Sequence, residues 1–195
     1  MLLKLKGYKK GLSNVFYNLV ILLFRVYYKL FYRVEVKGSV NLKDTGFLIC
    51  SNHRSNFDPI LIAIKMKQRI YFLGKKELFK NKFVSFILSK LGCLPIDRDN
   101  VDMQILKIAI GILKNKNALC VFPEGTRSKT GELLEFKRGA GLLASRANVP
   151  IIPIKIEGSY KLFSKITIKI GEPFYITCEN KRTVMSDLRE IIKQM

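Results

Sequence analysis

The residues best suited to chemistry are His53, the only histidine of the chain, and Asp58, both in the segment SNHRSNFDP. On a continuous helix their side chains would point about 140° apart and could not meet. Pro59 argues against that helix, because proline favours the first helical position and the residue before it avoids the helical region. We therefore expect Asp58 to be the N-cap of a helix that begins at Pro59, with its carboxylate reaching back to His53.

This histidine–aspartate pair has two interpretations. A carboxylate that accepts from one ring nitrogen orients the imidazole and leaves the other nitrogen to take up a proton, which is the arrangement of a general base. The alternative is a structural histidine beside an ordinary helix-capping aspartate. The motif by itself leaves both interpretations open.

A second polar cluster, FPEGTRS at 122–128, has the composition of an anion-binding loop. Arg127 lies between the hydroxyls of Thr126 and Ser128, on a loop that Gly125 makes pliable. A guanidinium with neighbouring hydroxyls can hold a phosphate through charge-assisted hydrogen bonds. Lys137, just before a predicted helix start, adds positive charge. The alternative is a basic surface loop, and no G-x-x-x-x-G-K-[ST] nucleotide loop occurs in the chain.

Two further segments carry weaker signals. Arg98, after the run CLPID, fits either a second phosphate ligand or a structural turn with Asp97. The run VPIIPI at 149–154 reads as an apolar strand that walls the site. Because proline lacks the ladder donor, we expect Pro150 and Pro153 at a sheet edge or a strand start.

The elements that must position these clusters alternate between strands and helices. Strands are predicted at 34–37, 46–51, 70–73, 93–96, 118–122, 150–157 and 165–170, and helices at 59–66, 77–91, 102–115, 139–147 and 183–194. This alternation predicts an α/β fold, with a mixed, largely parallel sheet flanked by helices. The polar clusters follow strand ends, where α/β folds bind their ligands.

Composition limits the partners. The chain has 195 residues, is 48% hydrophobic and carries a formal net charge of +20, so it is a folded protein whose surface attracts anions. Nucleic acid is not expected, because the charge is dispersed and no basic-aromatic module is present. Four scattered cysteines without a C-x-x-C pair, and a single histidine, argue against a zinc site.

The N-terminal segment, residues 1–33, predicts an amphipathic helix. Its polar stripe comprises Asn14, Asn18, Arg25, Lys29 and Arg33, and apolar and aromatic residues surround that stripe. The uncharged run is shorter than the roughly 20 residues that span a bilayer. The pattern favours a helix that lies on a membrane surface, and the alternative is an ordinary core helix. Residues 34–195 would then form the second, globular domain.

The order of the motifs supplies the remaining signal. N-H-x-x-x-x-D, then G-x-x-x-I-D-R, then F-P-E-G-T-R-S, then V-P-I-I-P-I resembles the four sequential motifs of the glycerolipid acyltransferases, and among them the short bacterial lysophosphatidate acyltransferases. The resemblance extends from about residue 34 to residue 172. It implies the α/β sheet domain of that family with an N-terminal helical attachment to the membrane.

The resemblance implies a role for each matched position. His53 would be the general base and Asp58 its orienting partner. The acceptor's phosphate would be bound by Arg98, Glu124, Gly125, Thr126, Arg127, Ser128 and Lys137.

The resemblance also implies the reaction and its setting. An acyl chain would pass from a thioester, of acyl carrier protein or acyl-CoA, to the 2-hydroxyl of lysophosphatidate, forming phosphatidate without a metal or other cofactor. Acylation of another acceptor, such as glycerol-3-phosphate or a different lysolipid, is the alternative reaction; a basic membrane- or nucleic-acid-binding protein is the non-enzymatic one. We expect contact with anionic membrane lipids, and a peripheral or monotopic location on the cytoplasmic face of the cell membrane.

Overall fold

A computed structural model describes residues 10–42, 44–97, 103–128, 130–180 and 182–195. The helices are α1 (Lys10–Phe31), α2 (Asp58–Lys65), α3 (Lys82–Lys90), α4 (Met103–Lys114), α5 (Gly139–Ala147) and α6 (Val184–Gln194). The strands are β1 (Arg33–Lys37), β2 (Phe47–Ser51), β3 (Ile70–Lys75), β4 (Cys93–Ile96), β5 (Ala118–Val121), β6 (Ile151–Gly158) and β7 (Lys165–Ile170). The predicted phosphate ligand Arg98 lies outside the described residues.

The strands form one sheet of seven, in the order β1-β7-β6-β2-β5-β3-β4. Neighbouring strands are parallel except β6 and β7, which are antiparallel. Helices separate most consecutive strands and allow parallel crossovers, whereas β6 and β7 are joined by a short loop that forces a reversal. The predicted mixed, largely parallel sheet flanked by helices is confirmed.

The two faces of the sheet are buried in separate clusters. Along β2, Phe47 and Ile49 belong to the cluster covered by α1 and α2, and Leu48 and Cys50 to the cluster covered by α4, α5 and α6. Side chains of a strand alternate between faces, so a strand covered on both sides is apolar throughout. The central position of β2 and β5 therefore gives the loops after them a rigid support.

The prediction that Pro153 lies at a sheet edge or strand start is wrong. It lies inside β6, between β7 and β2. Its carbonyl accepts from the Gly171 backbone N–H at 2.9 Å, and the β6–β7 ladder begins only at Ile154. The missing N–H of Pro153 thus lies just outside the β6–β7 ladder, and the pairing of Pro153 with Cys50 of β2 is kept.

The continuous helix predicted at 77–91 is also wrong. The segment forms a 3-10 helix, Lys76–Phe79, and then α3. Asn81 separates the two, because its side-chain oxygen accepts from the backbone N–H groups of Phe83 at 2.9 Å and Val84 at 3.2 Å. Asparagine is a strong N-cap, and here its capping bonds start a new helix rather than extend an old one.

Helix α1 has a buried side and a wide exposed apolar side. Tyr17, Ile21 and Tyr28 are buried in the core cluster that includes α2. The large hydrophobic side chains that α1 exposes are Val15, Leu19, Leu22, Leu23, Val26, Tyr27 and Leu30. In the described part of the chain, α1 and the other helices are too short or too polar to cross a membrane.

Candidate active site

The turn between β2 and α2 brings the predicted pair together. His53 Nδ1 lies 2.9 Å from Asp58 Oδ2, and the Asp58 side chain is 0% exposed. The same oxygen accepts from the backbone N–H groups of Arg54 at 2.6 Å and Ser55 at 2.7 Å. Three donors converge on one buried carboxylate oxygen, which compensates for its burial and holds the imidazole in one orientation.

Asp58 reaches His53 by a different route from the predicted one. It is the first residue of α2 and not the N-cap; Phe57 is the N-cap and makes no side-chain capping bond. Pro59 is therefore the second helical residue. The Asp58 carboxylate turns back from the helix and binds the preceding turn, because the amides of Arg54 and Ser55 point towards it.

Tyr160 contacts the His53–Asp58 pair, and the sequence analysis did not single it out. Its hydroxyl donates to Asp58 Oδ1 at 2.5 Å, so both oxygens of the carboxylate are engaged. Burial, followed by the negative charge of Asp58, raises the pKa of Tyr160, and the phenol stays a donor. The available signal was its position just after β6, a strand parallel to and paired with β2.

The loop after β5 supports His53 from another side. The Phe122 ring stacks on the imidazole, with centroids 4.1 Å apart and an interplanar angle of 20°. The His53 backbone N–H donates to Glu124 Oε1 at 2.7 Å, and the Ser128 N–H donates to the His53 carbonyl at 2.9 Å. The two predicted motifs, 52–58 and 122–128, therefore form one site.

Glu124 joins this loop to the turn that carries His53 and to the segment that carries Leu134. It is 3% exposed, and its second oxygen accepts from the Leu134 backbone N–H at 3.1 Å. Burial raises the pKa of Glu124, against the lowering effect of the His53 and Leu134 amides. With both oxygens bound to backbone donors, Glu124 braces the loop; a direct contact with the acceptor's phosphate stays a prediction.

Gly125 has a conformational reason to be glycine. Its φ is +71°, in the left-handed region, and an added Cβ would lie 2.9 Å from Lys137 Cε. The Lys137 backbone N–H donates to the Pro123 carbonyl at 2.9 Å. The structure therefore places the Lys137 side chain against the glycine of the predicted phosphate loop.

The remaining predicted phosphate ligands are more open. Thr126 and Arg127 are exposed. The Ser128 hydroxyl accepts from the Gly131 backbone N–H at 3.0 Å and helps to shape the loop.

An apolar cavity adjoins this loop. It has a volume of about 270 Å³ and reaches Phe122, Gly125 and Lys137. The rest of its lining is mostly aliphatic and comes largely from α4, α5 and neighbouring strands, including Leu73, Ile96, Ile105, Leu106, Val121, Leu142 and Leu143. In the described residues, no group of three or more His, Cys, Asp or Glu side chains could hold a metal ion.

Comparison with known proteins identifies the class. Residues 33–157 match the family model described as Acyltransferase. This match covers more than half of the chain and includes both loops of the site, so the chain belongs to the acyltransferase family.

Particular relatives share a common description. A 1-acyl-sn-glycerol-3-phosphate acyltransferase of Bacillus subtilis is 35% identical over 149 residues, covering 73% of this chain and 74% of the relative. The enzyme of that name from Saccharomyces cerevisiae is 34% identical over 136 residues, covering 67% of this chain but 45% of the relative. The chain thus spans about half the length of some relatives.

A solved structure matches nearly the whole chain. The crystal structure of the 1-acyl-sn-glycerophosphate acyltransferase PlsC from Thermotoga maritima has a TM-score of 0.78 and 28% sequence identity. The match covers 97% of this chain and 82% of that one.

Proposed function

We propose that the protein transfers an acyl chain from a thioester donor to the 2-hydroxyl of lysophosphatidate and so forms phosphatidate. The observation that carries the proposal is the His53 ring, whose Nδ1 is bonded to the buried Asp58 at 2.9 Å. That bond leaves Nε2 to take a proton from a hydroxyl. The names of the relatives support this choice of acceptor.

The reaction follows from this arrangement. His53 Nε2 accepts the hydroxyl proton as the oxygen attacks the thioester carbon, and then returns the proton to the departing thiolate. Asp58 holds the ring and stabilises the imidazolium that forms in between. The bond that forms is the ester C–O bond and the bond that breaks is the thioester C–S bond, so no oxidant or metal enters the balance.

The phosphate of the acceptor is assigned to the loop at 125–128. Arg127 and Thr126 are exposed, and their loop is bonded to His53 through the Ser128 N–H. Lys137 packs against Gly125. A guanidinium and an ammonium on one side of the base would grip the phosphomonoester and present the hydroxyl to Nε2. Arg98 belongs to the same assignment by its motif.

The apolar cavity suits an acyl chain. Its aliphatic lining begins beside Phe122, whose ring stacks on His53. A chain lying there would place its thioester carbon near the imidazole, since the cavity and the base share this aromatic wall. The donor we propose is acyl carrier protein or acyl-CoA; both are anionic and suit a chain with net charge +20.

The exposed side of α1 is proposed to contact anionic lipid on the cytoplasmic face of the membrane. Its apolar side chains would enter the interface while lysines and arginines meet the headgroups. The neighbouring helix α3 has no buried residue, and its Phe83 is 72% exposed. The 3-10 helix and α3 also contain lysines among their apolar residues, so this segment fits the same interface.

The activity test uses purified protein in mixed micelles with lysophosphatidate, glycerol-3-phosphate or a neutral lysolipid, each with acyl carrier protein or CoA thioester. We expect a phosphatidate product from lysophosphatidate, and a donor preference decided by the same assay. Acylation of glycerol-3-phosphate alone would replace the proposed acceptor. No acyl transfer to any of the three would contradict the proposed function.

The membrane test replaces Leu22 and Val26 by glutamate together. Both side chains are exposed, so the fold should survive, whereas two buried charges in lipid should release the protein from anionic vesicles on sedimentation. Tyr175→Glu together with Met103→Glu, at side chains 57% and 52% exposed outside α1 and α3, is the control matched in charge. Unchanged binding of the double variant would contradict the assignment.

A further inference from the structure

Tyr160 is the outer partner of the catalytic pair. Its hydroxyl donates to Asp58 Oδ1, while Asp58 Oδ2 serves His53 Nδ1. A donor on one oxygen withdraws charge from the other, so the tyrosine sets how strongly the carboxylate stabilises a protonated imidazole. Neither the motif spacing nor the family comparison assigns a role to this residue.

The loop that carries Tyr160 is fastened to the end of α1. The Tyr32 hydroxyl donates to the Tyr160 carbonyl at 3.2 Å. The Phe163 backbone N–H donates to the Phe31 carbonyl at 2.8 Å, and the Arg33 N–H donates to the Ser164 carbonyl at 3.1 Å. Three bonds thus hold the 159–164 loop at the point where α1 ends and β1 begins.

Helix α1 also packs on the helix that carries Asp58. Tyr28 of α1 is 2% exposed and lies in the core cluster with Leu61 and Ile62 of α2. Arg25 Nε donates to the Ile64 carbonyl of α2 at 3.0 Å. The position of α1 therefore bears on Asp58 twice, through α2 and through Tyr160.

We infer that Tyr160 is a positioning residue for the His53–Asp58 pair, and that the C-terminal end of α1 holds it in place. The path runs from Tyr32 to the Tyr160 backbone, from the Tyr160 hydroxyl to Asp58, and from Asp58 to the imidazole. Its effect on turnover rests on the proposed function, but its effect on the imidazole does not.

The other groups around the pair do not replace this donor. Arg54 offers Asp58 its backbone N–H, and Glu124 bonds the His53 backbone rather than the ring. Tyr28 faces Asp58 from α1 and Cys120 from β5, and burial raises the pKa of each. A substitution at Tyr160 leaves these four residues in the protein. A difference between the wild type and the Tyr160 variant therefore reports the Tyr160 hydroxyl.

The decisive experiment titrates the single histidine by NMR in detergent micelles, where one imidazole signal needs no assignment. In Tyr160→Phe the midpoint of the His53 titration should move to higher pH, because Asp58 then turns more negative charge towards the ring. Tyr32→Phe should move it in the same direction by less. Tyr175→Phe, at an exposed ring elsewhere, should leave it in place.

Kinetics provide the second readout. Tyr160→Phe should lower kcat about 10-fold with the KM for lysophosphatidate unchanged, the size expected for one hydrogen bond to a charged group. Tyr32→Phe should lower kcat about 2-fold, a fraction of one such bond. A lower kcat with an unmoved histidine midpoint would reduce Tyr160 to a structural role and overturn the inference.

The outcomes separate the two proposals. If the wild type acylates no lysophosphatidate but Tyr160→Phe still moves the histidine midpoint, the proposed function fails and the inference stands. If Tyr160→Phe does not fold, Tyr32→Phe decides, since it keeps the Tyr160 ring. A Tyr32→Phe protein identical to wild type in midpoint and kcat would overturn the link to α1.

Discussion

The turn at 52–58 and the loop at 125–128, which we call the rigid half and the open half of the candidate site, are neighbours with opposite characters. In the turn, both oxygens of Asp58 are bonded and the His53 ring is stacked and tethered. In the loop, Thr126 and Arg127 extend their side chains to solvent. The backbone of the two regions is nevertheless joined, through Glu124 and the Ser128 N–H.

This contrast fits the different tasks that we propose for the two regions. A proton transfer needs its acceptor held in place before substrate arrives, since misplacement lowers the rate directly. A headgroup entering from a lipid surface needs a long cation that can follow it and then close on it. Under the proposed function, buried hydrogen bonds hold the base in place, whereas the side chains assigned to the phosphate are exposed to solvent.

The strongest test of the rigid half is His53→Ala. Without the base we expect acyl transfer to fall by about 1,000-fold or more. The fold should survive, because the ring is a partly exposed surface of the site, and the thermal unfolding midpoint checks this. Substantial activity in a well-folded variant would remove His53 from the mechanism.

Asp58→Asn separates charge from shape within the same half. The amide oxygen can still accept from the Arg54 and Ser55 N–H groups, and the NH2 group can face the Tyr160 hydroxyl, so the fold should persist. The negative charge that would stabilise the imidazolium is lost, and kcat should fall about 100-fold, the lower end of the range for general acid–base catalysis. A kcat near wild type would show that Asp58 is structural.

Arg127→Ala tests the open half. We expect the KM for lysophosphatidate to rise about 10-fold, with a small change in kcat and none in stability, since the side chain is exposed. Arg146→Ala removes another exposed arginine, from the last turn of α5, and should leave the KM as in wild type. A larger effect on kcat than on KM would place Arg127 with the rigid half.

Glu124→Gln tests the connection between the halves. One end of the amide must present its NH2 group to a backbone N–H, from His53 or from Leu134, and one bond is lost. We expect a loss of about 1–3 kcal/mol in unfolding free energy and a several-fold lower kcat. Glu179→Gln is a control at an exposed carboxylate. Equal stability of the two variants would show that Glu124 does not brace the loop.

The sequence predicted what depends on nearby residues. The strands Cys93–Ile96 and Lys165–Ile170 have the predicted bounds, because an apolar run in the first and an alternating pattern in the second end next to turn residues. The His53–Asp58 contact was predicted, but through an N-cap position of Asp58 that the structure does not show, since α2 already begins at Asp58. The α5 bounds, Gly139–Ala147, were also predicted, with Gly139 and Ala140 at the helix start.

The features that depend on distant residues were missed. Tyr160 is 102 positions from Asp58, and only the strand order that sets β6 beside β2 brings them together. The place of Pro153 inside the sheet likewise depends on where β7 ends. The helix break at Asn81 is a local feature, because asparagine is a strong N-cap. The apolar periodicity on both sides of Asn81 nevertheless led to the prediction of one continuous helix.

The packing of α1 on α2 has a consequence for how substrate is met. The two helices share buried side chains, and packed helices lie about 8–10 Å apart. Asp58 is the first residue of α2, so a protein resting on lipid through α1 carries its histidine at a set height above the surface. Under the proposed contact of α1 with lipid, the headgroup of the acceptor would have to leave the membrane surface to reach His53.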